Sequence, residues 1–400
     1  MTATAGRKAV AGLGASVTLD DLDFDPYPHF ARMRAEEPVC WFPGARRYLV
    51  TRYEDIGHVD HHPEIFSADE EGSLMTQIMG PTLLRKDGAE HDRERAAADP
   101  ALRPRIVKEH WQPIFEQNAD TLLAELAPRG EADLFTDFAL PFAARNLVAL
   151  LGLHNVTATE LADWSQAMID GGGANYVGDA DVRRRALDAA GAVDAAVTDI
   201  ASWHRENPNS SVLSQMVVND PGLPIQQVAN DIKVFIGGGV NEPRDALATA
   251  AWAVLDRPDL HARVKQDPAL WPRVFEETVR WVSPIGMYPR QVVQETELGG
   301  VRLLPGDKLG ICAGSANRDE TVFPDPDRFD IDRRGARHVA FGTGAHYCLG
   351  TWAARSSVGQ IALPRLFTRL PGLALDPRNP VRVRGWVFRG VVTLPAVWQS

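Results

Sequence analysis

Apolar positions recur with helical spacing along most of the chain, and strand-like runs are few and short. Pro26 to Glu37 places Phe30 and Met33 on one face and predicts a helix. Val39 to Phe42 and Tyr48 to Thr51 are apolar, β-branched or aromatic and flank Pro43-Gly44, which predicts a hairpin. Tyr53 to Val59 predicts a short helix. The stretch from Phe66 to Leu84 mixes Leu74, Met75, Ile78 and Met79 with turn residues and predicts an irregular segment that covers the core or lines a pocket. Helical patterns then run from Pro104 to Ala127, Phe138 to Gly152, Ala158 to Asp170 and Asp179 to Glu206. Gly171-Gly172-Gly173 predicts a flexible joint, either a lid hinge or a plain connection. Val292 to Ile311 and Arg389 to Leu394 supply strand-like pieces, and Leu349 to Phe367 is an Ala-rich helical run.

Pro224 to Asp256 reads as one long helix with a defect in its middle, Gly237-Gly238-Gly239-Val240-Asn241-Glu242-Pro243. Each Gly costs about 1 kcal/mol relative to Ala and an interior Pro about 3. The combined cost of about 6 kcal/mol is comparable with a whole domain's typical stability of about 5–15. A sequence seldom carries such a cost without function; the alternative is two helices joined by a turn.

Composition narrows the class. The chain has 400 residues and 44% hydrophobic content, enough for a large core. No linker, repeat or charge block divides it, so we expect one large domain over 17–400 after a disordered segment, 1–16. A net charge of -11 with dispersed acids argues against nucleic acid as a partner. Three cysteines, Cys40, Cys312 and Cys348, are too sparse for a disulfide framework and suggest a reducing cytoplasm. The start lacks a signal-peptide core, and no apolar run reaches the roughly 18 residues of a membrane span.

The chemistry centres on Phe341-Gly342-Thr343-Gly344-Ala345-His346-Tyr347-Cys348-Leu349-Gly350. The glycines let backbone turn sharply beside something flat. A thiolate at Cys348 would sit at the start of the following helix, where unpaired amides favour negative charge and make the sulfur a good iron ligand. A buried free thiol is the plainer alternative. Phe-Gly-x-Gly-x-His-x-Cys-x-Gly resembles the haem-binding loop of the cytochrome P450 family, with every fixed position filled.

That resemblance spans about residues 20 to 400 and implies a mainly α fold with a small β region, haem b (iron protoporphyrin IX) lying between the long central helix and the Cys-loop helix. It implies Cys348 as the iron ligand, Phe341, Gly342 and Gly350 as the loop around it, and His91, Arg95, Arg290 and His346 as contacts to the haem propionates. His91 and Arg95 are four apart and would share a helix face; a solvated charged turn is the alternative there. Glu277 and Arg280 match the family's Glu-x-x-Arg pair, and these two with Arg328 are assigned to architecture. At Gly238-Gly239 the match is imperfect. The family carries an acid and an alcohol where this chain has Asn241 and Glu242, so the hydroxyl is missing. Burial would favour neutral Glu242 and could poise it as an acid or base; a bond to Arg244 or to a freed backbone group is the structural alternative. An amide–acid pair resembles a smaller bacterial branch that includes O-demethylases of methoxylated aromatics.

The resemblance therefore implies a monooxygenase that inserts one oxygen atom into a C–H bond of a small apolar molecule by hydroxylation or O-demethylation. Dioxygen and a ferredoxin or flavin/iron–sulfur reductase would supply oxygen and electrons. A peroxygenase using hydrogen peroxide is the alternative within the class, and a non-catalytic haem carrier or sensor the alternative outside it. Expected pocket residues are Leu74 and Ile78, Met168, Phe235, Ile285 and Met287, and Val391 and Val392.

Overall fold

The structure, a computed structural model, is described from residue 12 to residue 399. The helical patterns become α1 (Gly88–Ala98), α2 (Gln112–Leu126), α3 (Leu140–Leu151), α4 (Ala158–Ile169), α5 (Ala180–Glu206), α6 (Ile225–Leu255) and α7 (Trp271–Val282). A further helical run, 351–369, follows the cysteine loop, with a π-helical stretch at Arg355–Ala362. Local chemistry sets the ends. Thr157 and Glu160 cap α4 reciprocally, Asp179 accepts from the amides of Asp181 and Val182 to start α5, and Gly152 ends α3 at φ 79°.

Helix α6 is the axis of the fold and packs against α3, α4, α5 and α7. Most of its residues are buried on every side, as expected of a helix apolar all round. It runs unbroken through the glycine–proline defect, so the two-helix alternative does not hold. The glycines serve close packing here. A Cβ on Gly239 would stand 2.6 Å from a Leu147 methyl, and one on Gly237 3.2 Å from Ile169.

The largest sheet of the β region has five strands, β1 (Val39–Phe42), β2 (Arg47–Val50), β3 (Phe66–Ser67), β4 (Tyr288–Val292) and β5 (Lys308–Ile311), in the order β1-β2-β5-β4-β3. Only the β2–β5 pair is parallel; the predicted hairpin pairs Val39 with Val50 and Phe42 with Arg47. A separate small core of Val50, Ile56, Phe66, Leu309 and Ile311 lies beneath the sheet.

Three local expectations change. The irregular segment holds a helix, Leu74–Met79, capped by Ser73 and ended by Gly80 at φ 82°. Gly171-Gly172-Gly173 is a π-helical turn, Asp170–Ala174, that continues α4. Added Cβ atoms would come within 2.4 Å of Ala186 at Gly171 and of Phe388 at Gly173, so these glycines permit close packing and do not form a loose joint. Of the segment expected to be disordered, residues 1–11 lie outside the described residues. Leu13–Ser16 instead forms an ordered turn held by Glu37, which accepts from the Leu13 amide at 2.7 Å.

Candidate active site

The cysteine loop is held by a carboxylate that sequence reasoning missed. Buried Asp60 accepts from the Thr343 amide at 3.1 Å, the Thr343 hydroxyl at 2.9 Å and the Tyr288 hydroxyl at 2.8 Å, and faces Arg290 at 3.5 Å. Gly344 passes so close to the Asp60 carbonyl that a Cβ would sit 2.2 Å from it, and its φ is 64°. Glycine is required there on both counts. The loop closes with the Cys348 amide donating to Phe341 O at 2.9 Å and the Thr351 hydroxyl donating to Cys348 O at 2.7 Å.

Cys348 lies deep in the protein, and burial pushes its thiol pKa up. Yet the residue carries open surface. Both statements hold only if that surface faces an internal cavity. The Gly350 amide and the Thr351 hydroxyl pull the other way and favour the thiolate, as does the charge of Arg95. A buried sulfur with donors aimed at it is suited to a bound cation. Among the described residues no group of three or more His, Cys, Asp or Glu side chains could hold a bare metal ion. One sulfur alone fits an iron that arrives already chelated, as in haem.

The four residues expected at the haem propionates converge on one region. His91 and His346 lie with ring centroids 4.3 Å apart. His91 Nδ1 donates to Asp92 at 3.1 Å and His346 Nε2 to Asp87 at 3.1 Å. The other nitrogens, His91 Nε2 and His346 Nδ1, are buried without a partner among the described residues. Burial pushes the His346 pKa down, against the pull of Asp87. Arg290 acts electrostatically on His346, and Arg95 donates to Tyr347 O beside the cysteine. With one N–H of each ring given to a carboxylate, the other nitrogen donates only when the ring is an imidazolium, the form that a ligand bringing anionic acceptor oxygens would favour.

Across the cavity stands the defect of α6. Gly238 is exposed in the middle of this buried helix, so it too faces internal space. Glu242 folds back over it: its Oε2 is 3.8 Å from where a Gly238 Cβ would lie and has no hydrogen-bond partner among the described residues. Burial raises the Glu242 pKa to about 8, and its charge acts on Cys348. Arg244 does not answer Glu242; it donates to Asp245 at 2.7 Å and to Gln166 at 3.1 Å. Asn241 turns the other way, donating to Ser165 Oγ at 3.1 Å, while that hydroxyl donates to Ile236 O at 2.9 Å. The amide thus ties α6 to α4, and only the acid of the pair points at the cavity.

The architectural residues are buried as expected, with one exchange. Arg280 grips Glu277 through two bonds of 2.7 Å and donates to the carbonyls of Asn317, Pro326 and Arg328. The third side chain of the cluster is Arg333, at 3.4 Å from Glu277. The Arg328 side chain instead pairs with Asp330 at the surface, so only its carbonyl takes part.

The expected pocket residues divide by open surface. Leu74, Phe235 and Ile285 are half-buried, and Ile78 meets the turn at Gly172. Met168 and Val391 are fully enclosed in the main core, and Met287 packs with Phe42 and Trp386, which takes these three out of the cavity wall. Val392, next to buried Val391 on an alternating strand, is exposed on the opposite face. Sequence reasoning missed Phe388, which bridges to Ile285 and touches Gly173. It also missed Asp87 and Arg85. A lone arginine after two leucines was the available signal for the last.

A mainly helical fold with one cavity-facing sulfur opposite a broken helix pattern is the layout of a haem-thiolate oxidoreductase. A profile described as Cytochrome P450 matches residues 262–369. Cytochrome P450 107B1 of Saccharopolyspora erythraea is 31% identical, covering 93% of this chain and 94% of its own. Mycinamicin IV hydroxylase/epoxidase of Micromonospora griseorubida is also 31% identical, covering 92% and 94%. Among solved structures, CYP109E1 from Bacillus megaterium in complex with testosterone superposes with a TM-score of 0.85 at 24% identity, covering 94% of this chain and 98% of its own. Myxobacterial CYP267B1 in complex with myristic acid gives 0.84 at 26%, covering 94% and 97%. The chain belongs to the cytochrome P450 family. It is an oxygen-incorporating oxidoreductase of the hydroxylase type, and its family's cofactor is haem.

Proposed function

We propose that the chain inserts one oxygen atom into a C–H bond of a compact apolar substrate, a methoxylated aromatic by preference, and that oxygen insertion at the methoxy carbon gives a hemiacetal that collapses with loss of the methyl group. The observation that carries this reading is Glu242, a protonated acid facing the cavity where the family carries an alcohol. The haem, held by Cys348, would supply the oxygen-activating chemistry when bound.

The chain's own residues divide the remaining work. Cys348 would bind iron as thiolate, with the Gly350 amide and Thr351 hydroxyl holding its charge. His91, Arg95, Arg290 and His346 would receive the propionates. Glu242 holds a proton at its carboxyl, and Asn241 fixes the backbone that carries it by bonding Ser165. Phe235, Ile285 and Phe388 present apolar surface that excludes water. Gly238 leaves the helix face open toward the cavity, where a Cβ would meet only Glu242 Oε2, while Gly239 gives room to Leu147 of α3.

Electrons would come from a ferredoxin or flavin/iron–sulfur reductase. A carboxylic acid that can give and take a proton also favours direct use of hydrogen peroxide as a second reading. No helix among the described residues is long and apolar enough to cross a membrane. Three free cysteines support a reducing cytoplasm as the working compartment. The test is a haem spin-state screen of aromatic methyl ethers, each hit assayed for formaldehyde release with redox partners and with peroxide. Release from methoxy hits supports O-demethylation; hits confined to bulky or unmethoxylated molecules, without formaldehyde, would remove it.

A further inference from the structure

Arg85 ends the short turn Leu83–Arg85 and is only 6% exposed. Its Nε and Nη1 find no hydrogen-bond partner among the described residues. Burial, and then the like charge of Arg290, pull its pKa down to about 10, so it remains a cation at neutral pH. Glu70, Arg47 and Tyr176 complete its electrostatic surroundings. The carboxylates in this region are already committed. Glu70 accepts from Arg47 through both oxygens at 3.3 Å and pairs with Lys308 at 3.1 Å. Asp60 serves Tyr288, Thr343 and Arg290. Four cations, Arg47, Arg85, Arg290 and Lys308, thus share two carboxylates. A buried ionised group without a partner is strongly disfavoured, and its nitrogens can only donate.

We propose that Arg85 docks a carboxylate brought to the site by a bound molecule. Its place supports this: Arg290 comes from β4, and Tyr176 lies just beyond the turn that covers Ile78. The proposal rests on the haem-thiolate reading of the cavity. Two carboxylates can reach that place, a propionate of the haem and an acid group on the substrate. In the second case the methoxylated aromatic would be an acid.

The experiment uses haem-loaded wild type, Arg85→Met and Arg85→Lys. Binding of 4-methoxybenzoate and dodecanoate is titrated by haem spin-state shift against their methyl esters. Haem loss to apomyoglobin is timed with haem and with its dimethyl ester. A substrate acid predicts that wild type prefers an acid over its ester. It also predicts that Arg85→Met loses about 10- to 100-fold in acid affinity with ester binding unchanged, and that Arg85→Lys recovers part of the loss. A propionate predicts about 10- to 100-fold faster haem loss from Arg85→Met, a difference that vanishes with the dimethyl ester. The proposal is overturned if wild type treats acid and ester alike and the variants keep haem as long as wild type. Should Arg85→Met not fold, the wild-type preference and Arg85→Lys decide. Failure of the haem-thiolate reading is seen separately, as a reduced carbon monoxide spectrum of wild type without the thiolate band.

Discussion

The two sides of the cavity are built on opposite plans. Below, the cysteine loop is over-determined: Asp60, Gly344, Thr351 and the Cys348–Phe341 bond each hold it, and its donors all favour one charge state. Above, the middle of α6 leaves a glycine open and a carboxyl oxygen without a partner among the described residues. A rigid lower side fixes a ligand, whereas an unpartnered acid is free to exchange a proton. Polar groups left unsatisfied in an otherwise well-bonded interior mark the places where chemistry outweighs stability.

The comparison can be broken most severely from below. Cys348→Ser should fold, because the loop is held by Asp60 on Thr343, the Cys348 amide on Phe341 O and the Thr351 hydroxyl on Cys348 O, none of which needs the sulfur, but should lose the red-shifted carbon monoxide band and all turnover. A retained band would show that another residue ligates iron. Next in size, Glu277→Ala leaves Arg280 buried without its bidentate partner and should cost about 3–5 kcal/mol in denaturant unfolding. Arg328→Ala, at the surface, should change stability by less than about 0.5 kcal/mol. Equal losses in the two would restore Arg328 to the buried cluster.

From above, the effects depend on pH. The folded-state pKa of Glu242 is raised from 4.5 to about 8, so the fold keeps a proton that the unfolded chain releases. Its contribution is complete below the unfolded value and is lost as pH rises to about 8. Glu242→Gln should therefore gain on wild type across this window by at most about 1.4 kcal/mol per pH unit, read from thermal unfolding of the haem-loaded proteins. A difference independent of pH would mean that Glu242 is charged in the fold. Asn241→Ala should cost about 1 kcal/mol through the lost Ser165 bond and leave the spin state of the resting haem unchanged.

What the sequence made legible follows the same division. Periodicity alone revealed α6 and the hairpin, because apolar faces and strand alternation are local properties. The glycine cluster at 171–173 was misread as loose, since a small side chain chosen for close packing and one chosen for flexibility leave the same letter. Asp60 was invisible because its partner Thr343 is 283 positions away, and Asp87 for the same reason with His346, 259 positions away. Val391 and Val392 were both expected in the pocket, but neighbours on a strand point to opposite faces, and here Val391 enters the core while Val392 lies on the other side. The Asn241-Glu242 departure could be read directly, but that the amide bonds α4 while the acid faces the cavity required coordinates.

The central claim is that Glu242 supplies the proton chemistry above the cysteine. The direct measurement is the ratio of peroxide-driven to reductase-driven turnover on one spin-shifting substrate, in wild type and Glu242→Thr. The account predicts that the threonine variant loses peroxide-driven turnover preferentially and that the ratio falls. An unchanged ratio would contradict it and leave Glu242 without a special part in the reaction.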